Sequence, residues 1–527
     1  METRRPPEAL LEQLRAEPGV VLLRSALVNS PNTRHSFVAA RPFLTFRSFG
    51  SRCELIAPSA PPDRRIQFGN PWHLLDGLMA RYELLDEVDL PFPLGGCFGY
   101  WGYDLKNFVE PKLARRAVDD LELPDCHVGF YDSLVVFDHH LQKRWIISTG
   151  LDAAGSRSEQ RAREQADFWS EKFHGEEPNT GSTDTAEELP ARFRLHPNLS
   201  IRESRKHDPA PGRSIPAGNE RAGTFVHLLG QSAVPGEGRS VGRLSSVLSN
   251  FSRADFISAI ERAHRYIRAG DIYQINLSQR LAAPWPLSGV EFFQRLAAVS
   301  PAPFSACLDC GDFQIASSSP ELFLRLSGPH IRTRPIKGTR PRSDDPALDA
   351  RLACELQTSA KEMAELVMIT DLLRNDLGKV CEYGSVQVPE LARLERYPQV
   401  QHLVSTVEGR LRPNVTHFAA FASCFPGGSI TGAPKIRAME IIDELEPNTR
   451  GPYTGALGYL GFNRESQVSI LIRAAICRNA AVCFQVGAGI VADSVPEAEY
   501  EETLVKARGF FAALNLQSQS AYAFLAP

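Results

Sequence analysis

The stretch AVCFQVGAGIVADSVPEAEYEETLVKARGFFAAL, residues 481–514, carries both halves of the fold class. AVCFQVGAGIV reads as a strand, and EAEYEETLVKARGFFAAL as a helix with acidic residues near its start. Working outward, the same two signals recur in irregular order. FQIASSS, ELFLRLS and VSILIRAAI are strand-like, whereas SAKEMAELVMITDLLRND and APKIRAMEIIDEL are helical. Such irregular succession predicts an α+β fold with large, largely antiparallel sheets. In SRADFISAIERAHRYIRAG, Ser252 is placed to cap a helix whose apolar stripe is Phe256, Ile260, Ala263 and Ile267.

Three regions follow from composition. Residues 1–150 alternate apolar runs with Gly/Pro punctuation, as in GGCFGYWGYDL and YDSLVVFDHHLQKRWIIS. Residues 151–248 turn to Ser, Gly, Pro, Arg and Glu, which predicts a flexible, low-complexity insertion, with a helix at its start in SEQRAREQADFWSEKF. Residues 249–520 are dense in structural signals and are expected to carry the chemistry. With 58 basic and 62 acidic residues, the chain has no global field for nucleic acid. It lacks an apolar run of about 18 residues, so a membrane span is not expected, and a cytoplasmic location is. The close cysteine pair of CLDC has no second pair to complete a zinc site; reduced, buried thiols are expected.

Charge concentrates locally in RTRPIKGTRPR, where Lys337 stands among Arg332, Arg334, Arg340 and Arg342. The pattern suits a solvated basic ribbon, or a lysine nucleophile kept neutral by neighbouring cations. Glu362 and Glu365, and likewise Glu499 and Glu502, are i, i+3 pairs near helix starts. The spacing serves a solvated face or, if the helices converge, an oxygen-ligand site for Mg²⁺. FPGGSITGAPK nearly matches a phosphate loop, but Lys435 comes two places late and no Ser/Thr follows it. Gly487-Ala488-Gly489 offers amides for an oxyanion, or a simple strand-end turn. His402 lies in an apolar strand-like run as a core residue or a catalyst, and Arg473 in SILIRAAI needs a carboxylate partner from the protein or a ligand.

In order along 250–515, DIYQINLSQR, SSSPELFLRL, RPIKGTRPR, VQHLVSTVEG, FPGGSITGAPKIRAMEIIDELEP, RGPYTGALGYLG and GAGIVADSVPEAEYEETLVKA resemble the chorismate-utilising enzymes, the family of anthranilate synthase component I, isochorismate synthase, salicylate synthase and aminodeoxychorismate synthase component I. The resemblance implies two large antiparallel sheets packed as a sandwich and flanked by helices. Within the family, anthranilate synthases typically carry PIAGT and the aminodeoxychorismate branch PIKGT, as here at Lys337. The water-adding branches place a lysine base where this chain has Gln274, and glutamine cannot deprotonate water. The implied reaction is therefore chorismate plus ammonia to 4-amino-4-deoxychorismate, in 4-aminobenzoate and folate synthesis. The alternatives are anthranilate formation and a non-catalytic chorismate-binding subunit.

The resemblance also assigns roles. Lys337 is the nucleophile, Glu321 the general acid and His402 an assisting group. Gln274, Gly338, Thr339, Tyr453, Arg473, Lys506 and the Gly487, Ala488 and Gly489 amides line the substrate pocket. Glu365 and Glu502 hold Mg²⁺, with Glu362 and Glu499 acting through water. The chain shows no glutaminase nucleophile motif, so a separate glutamine amidotransferase is expected to supply ammonia in a heterodimer. Where family members that bind tryptophan often have LLES, this chain has LLRS with Arg24, which argues against bound tryptophan.

Overall fold

The computed structural model describes residues 6–25, 33–58, 62–84, 90–174, 200–202, 247–397 and 400–515. Two twelve-stranded sheets form the molecule. Pairing between their strands is antiparallel throughout, as the irregular element order predicts. Across the first sheet run Ser200–Arg202, Lys143–Ser148, Ser133–Asp138, His35–Ala39, Val21–Arg24, Phe304–Asp309, Gln314–Ser319, Ala474–Arg478, Ala481–Ile490, Gln274–Pro284 and Leu248–Ser249. The second runs from Ile336–Pro341 through Val400–Arg410, His330–Arg334, Leu322–Ser327, Glu465–Ile470, Ala456–Gly461, Gly96–Trp101, Cys126–Tyr131 and Leu44–Phe49 to Arg52–Ala57 and Asp63–Phe68.

Alternation along the strands explains the layering. Val21, Phe37, Leu134 and Val136 point into a core shared with Phe98, Leu324 and Tyr459 of the other sheet. Across that interface Phe37 meets Tyr459 edge-on at 5.1 Å, and Phe98 stacks on Tyr459 at 5.3 Å. The intervening residues Leu22, Val38 and Val135 point the other way, against helices that contribute Leu10, Trp169, Phe292 and Phe510. The first sheet is therefore buried on both faces, which is why its strands read as continuous apolar runs.

Both sheets draw strands from the first and the last of the three sequence regions. Val21–Arg24 pairs with Phe304–Asp309, and Gly96–Trp101 with Ala456–Gly461. The two regions thus share one core. The helix foreseen at the start of the 151–248 segment forms as Glu159–His174. It is part of the fold rather than of a flexible insertion: Trp169 is fully buried and donates to Ser133 Oγ at 3.0 Å, and Arg161 pairs with Asp132 at 2.9 Å. Most of the remaining segment, 175–199 and 203–246, lies outside the described residues. Arg24 of LLRS pairs with Glu8 of the helix Pro7–Gln13. No helix among the described residues is long and apolar enough to cross a membrane.

Replacing Trp169 by alanine removes a large side chain from this core. Trp169→Ala is expected to cost about 3–5 kcal/mol, read as a lower midpoint in urea denaturation.

Candidate active site

The last two strands of the first sheet, the edge of the second and two helices bring the sequence-predicted residues together. Ser359 caps the helix Ala360–Gly378 by accepting the Glu362 N–H at 3.3 Å. The Glu362 carboxylate does not complete a capping box; it turns to Arg340, 3.4 Å away. This side chain packs onto Gly338, where a Cβ would lie 3.1 Å from Glu362 Oε2 and 2.7 Å from Leu356 Cδ1. With φ at +68° as well, the position suits glycine alone. One residue earlier, Lys337 Nζ sits 3.6 Å from Glu365 Oε2. One residue later, Thr339 Oγ1 shares a 2.9 Å hydrogen bond with His402 Nδ1, its cross-strand partner.

Glu321 lies buried beside Lys337. Burial pushes its carboxyl up to about 7, although the Ser429 hydroxyl, the Lys337 charge and the Ile336 N–H all favour the anion. Near neutrality it therefore holds a proton for much of the time. His402 moves the opposite way, down to about 4, through burial and then the nearby Arg473 charge. It is a neutral imidazole at physiological pH, a hydrogen-bonding group rather than a cationic acid.

On the other wall, Gly487, Ala488 and Gly489 belong to the strand Ala481–Ile490 instead of a terminal loop. The neighbouring strand decides which amides are free. Asn276, Ser278 and Arg280 send their N–H groups to Thr431 O, Glu446 Oε1 and Asn250 Oδ1, away from the Ala481–Ile490 strand. By antiparallel alternation Leu277 faces that strand and pairs with Ala488. Ala488 is thus corrected as an oxyanion donor: its amide is committed to the ladder and its side chain is buried in a core cluster. The Gly487 and Gly489 amides point to the opposite edge, beyond the reach of Ala474–Arg478, which pairs only as far as Phe484.

These glycines also leave room for side chains. A Cβ at Gly489 would come 3.2 Å from Gln274 Nε2 and 3.6 Å from Lys337 Nζ, and one at Gly487 would meet Asn276 Oδ1 and Tyr453 Oη within 3 Å. Lys506 Nζ spans Gly487 O at 2.9 Å and Glu502 at 2.7 Å. Burial raises the Tyr453 phenol to about 12, so it stays protonated. Two groups here have no partner for their polar atoms. Gln274 is wholly buried with both amide atoms unbonded. Arg473, at φ +50°, has no hydrogen bond or ion pair to its guanidinium among the described residues, and burial lowers its pKa. A guanidinium and a carboxamide so placed are able to bind a ligand carrying carboxylate and hydroxyl groups.

The arginines around Lys337 do not act as the sequence suggests. Arg332 pairs with Glu408, Arg334 with Glu395, Arg340 with Glu362 and Arg342 with Asp349, so each charge is compensated locally. Lys337 instead faces the carboxylates of Glu365, Glu321 and Glu502. Of the remaining glutamates expected to face a metal, Glu499 accepts from Ser494 Oγ at 2.6 Å and burial raises its pKa. Burial also acts on Glu502, but the Lys506 charge and hydrogen bond, with Lys337 and Lys361, outweigh it and hold its carboxyl low. No group of three or more His, Cys, Asp or Glu forms a closed metal cage among the described residues. The donors present are carboxylates on two helices, the hard-oxygen set that suits Mg²⁺ completed by water and substrate oxygens. Lys435 of the near-miss phosphate loop is consumed by Asp376, at 2.5 Å.

Three site residues went unread in the sequence. Asn276 shares the Gln274 face two residues along the same strand, a period-two signal. Ser429 and Lys361 gave none, since their partners Glu321, Glu499 and Glu502 are distant in sequence. Behind this wall Arg450 and Glu446 form a buried bidentate pair, 2.6 and 2.9 Å. Glu446→Gln strands the Arg450 charge and is expected to destabilise the fold by about 3 kcal/mol in urea denaturation. Arg473→Met removes an uncompensated charge, and should leave the midpoint unchanged or raised.

Residues 217–512 match the model for chorismate binding enzymes. The chain is 36% identical over 515 residues to anthranilate synthase component 1 of Acetivibrio thermocellus, covering 98% of this chain and 93% of that protein. It is 35% identical over 492 residues to aminodeoxychorismate synthase component 1 of Salmonella typhimurium, covering 93% and 91%. Anthranilate synthase component I from Streptococcus pneumoniae superposes with a TM-score of 0.67 at 28% identity, covering 91% of this chain and 92% of that one. The chain belongs to the chorismate-binding enzymes, in the group that contains the first components of anthranilate and aminodeoxychorismate synthases.

Proposed function

We propose that the protein is the first component of an aminodeoxychorismate synthase, forming 4-amino-4-deoxychorismate from chorismate and ammonia. The carrying observation is Lys337, an amine directed into the pocket between Glu365, Glu321 and the Gln274 carboxamide. In the proposed chemistry its neutral amine attacks ring carbon C2, the double bond shifts, and the C4–O bond breaks as Glu321 protonates the leaving hydroxyl to water. Ammonia then forms the C4–N bond, the double bond returns, and the C2–N bond to Lys337 breaks. Arg473, Tyr453 and the Gly487 and Gly489 amides orient one substrate carboxylate, and Gly338 and Thr339 bound the ring. His402 keeps Thr339 in place.

Mg²⁺ is the proposed cofactor, held by Glu365 and Glu502 with Glu362 and Glu499 behind them. Bound there, it supplies charge neutralisation for the second carboxylate. Ammonia comes from a separate glutamine amidotransferase, in keeping with the component 1 names of the relatives, and the pair works in the cytoplasm. The second reading is anthranilate synthase component I, favoured by the 98% coverage of the chain by such a relative.

Purified protein with chorismate, Mg²⁺ and excess ammonium is expected to give aminodeoxychorismate by mass-resolved product analysis, with turnover lost or redirected in Lys337→Ala. Anthranilate with pyruvate would assign the second reading. Unchanged chorismate, even with an amidotransferase present, would favour a binding subunit. At constant free ammonia, the pH profile of kcat/KM for chorismate should break to a lower slope near pH 7, where Glu321 loses its proton. Glu321→Gln should be slow and should lack that break.

A further inference from the structure

Each of the four glutamates assigned to the metal side is held by a cation or a hydroxyl of the protein itself. Glu362 has Arg340, Glu502 has Lys506, Glu499 has Ser494, and Glu365 has Lys337. Lys337 differs, because in the reading above it must reach the substrate ring. Its Nζ lies 3.6 Å from Glu365 Oε2, and their side chains are 17% and 14% exposed, so the pair is only weakly screened by water. Lys337 has no other ion pair among the described residues.

A second resting place for the same nitrogen lies on the opposite wall. Gln274 is wholly buried, and its Oε1 is an acceptor with no donor. Gly489, with no side chain, leaves the space where Gln274 Nε2 and Lys337 Nζ both approach. A four-carbon stem with free torsions spans such a change without moving the strand. A divalent cation on Glu365 and the Lys337 ammonium compete for that carboxylate, because the two like charges repel at contact distance.

We propose that Lys337 is the resident counter-ion of Glu365, that a divalent cation displaces it, and that the displaced nitrogen turns towards the Gln274 carboxamide. The inference rests on the assignment of Glu365 to the metal side. The lysine is then a two-position element: it occupies the carboxylate while the metal is absent and is delivered to the ring side when the metal arrives. Metal and nucleophile are thereby coupled, and chorismate meets an available lysine only in the metal-loaded protein. No bond to Lys337 forms or breaks in this exchange.

The test is isothermal titration of the full chain with Mg²⁺ alone, without chorismate or ammonia. Lys337→Met should bind Mg²⁺ about tenfold more tightly than the wild type, because the competing charge is gone. Lys337→Arg keeps a cation and should remain close to the wild type, as should Lys112→Met, an exposed lysine far along the chain. Circular dichroism establishes folding, and Lys337→Gln replaces the methionine variant if that one does not fold. Equal or weaker Mg²⁺ binding in the neutral variants overturns the proposal. So does equal tightening in Lys112→Met, or no measurable Mg²⁺ binding in either wild type or variant. Detection of anthranilate would overturn the assigned reaction and not this exchange, which Mg²⁺ affinity alone judges.

Discussion

The Arg450–Glu446 ion pair holds the site wall together. Both side chains are almost wholly buried, at 1% and 4% exposure, so neither charge has water to fall back on. The pair compensates by satisfying every direction around it. Arg450 also donates to Ile430 O at 3.1 Å and Asn276 O at 2.7 Å, and Glu446 Oε1 accepts the Ser278 N–H and hydroxyl. Ser278 Oγ in turn accepts from Gln485 on the adjacent strand. One network thus fixes the Gly428–Ile430 turn, the strand Gln274–Pro284 and the strand Ala481–Ile490 against each other. Buried networks of this kind tolerate one arrangement, since any slip leaves a charge unpaired. Gln274, Asn276, Gly487 and Gly489 inherit that rigidity because they lie on those strands.

What the chain revealed of itself followed the range of the forces involved. Strands and helices were legible because period and capping are local: Ser252 and Ser359 cap the helices they precede. The convergence of Glu362, Glu365, Glu499 and Glu502 was legible only through family resemblance, since their two helices are far apart in sequence. The arginines around Lys337 misled for the same reason. Read locally they are a cluster of like charge; in the fold each finds a carboxylate on another element, Glu408 and Glu395 among them. Gly487-Ala488-Gly489 looked like a loop because glycine usually interrupts strands, whereas pairing with a strand some two hundred residues earlier overrides that preference. Even then the pairing register, invisible in sequence, determines that two of the three amides are free.

The division into regions shows a related limit. Composition separates residues 1–150 from 249–520, yet hydrogen bonding joins them into the same two sheets. A sandwich core spanning both regions means that neither completes its own hydrophobic face. Composition reports what each segment is made of, and not which segment it pairs with.

Arg473 has a consequence outside catalysis. A half-buried guanidinium, in a left-handed backbone conformation and with no protein partner among the described residues, raises the free energy of the empty protein. A carboxylate ligand that binds only the folded state repays this and shifts the folding equilibrium by mass action. By the same linkage, a carboxylate ligand at Arg473 would lengthen the life of the folded chain wherever proteolysis acts on the unfolded fraction.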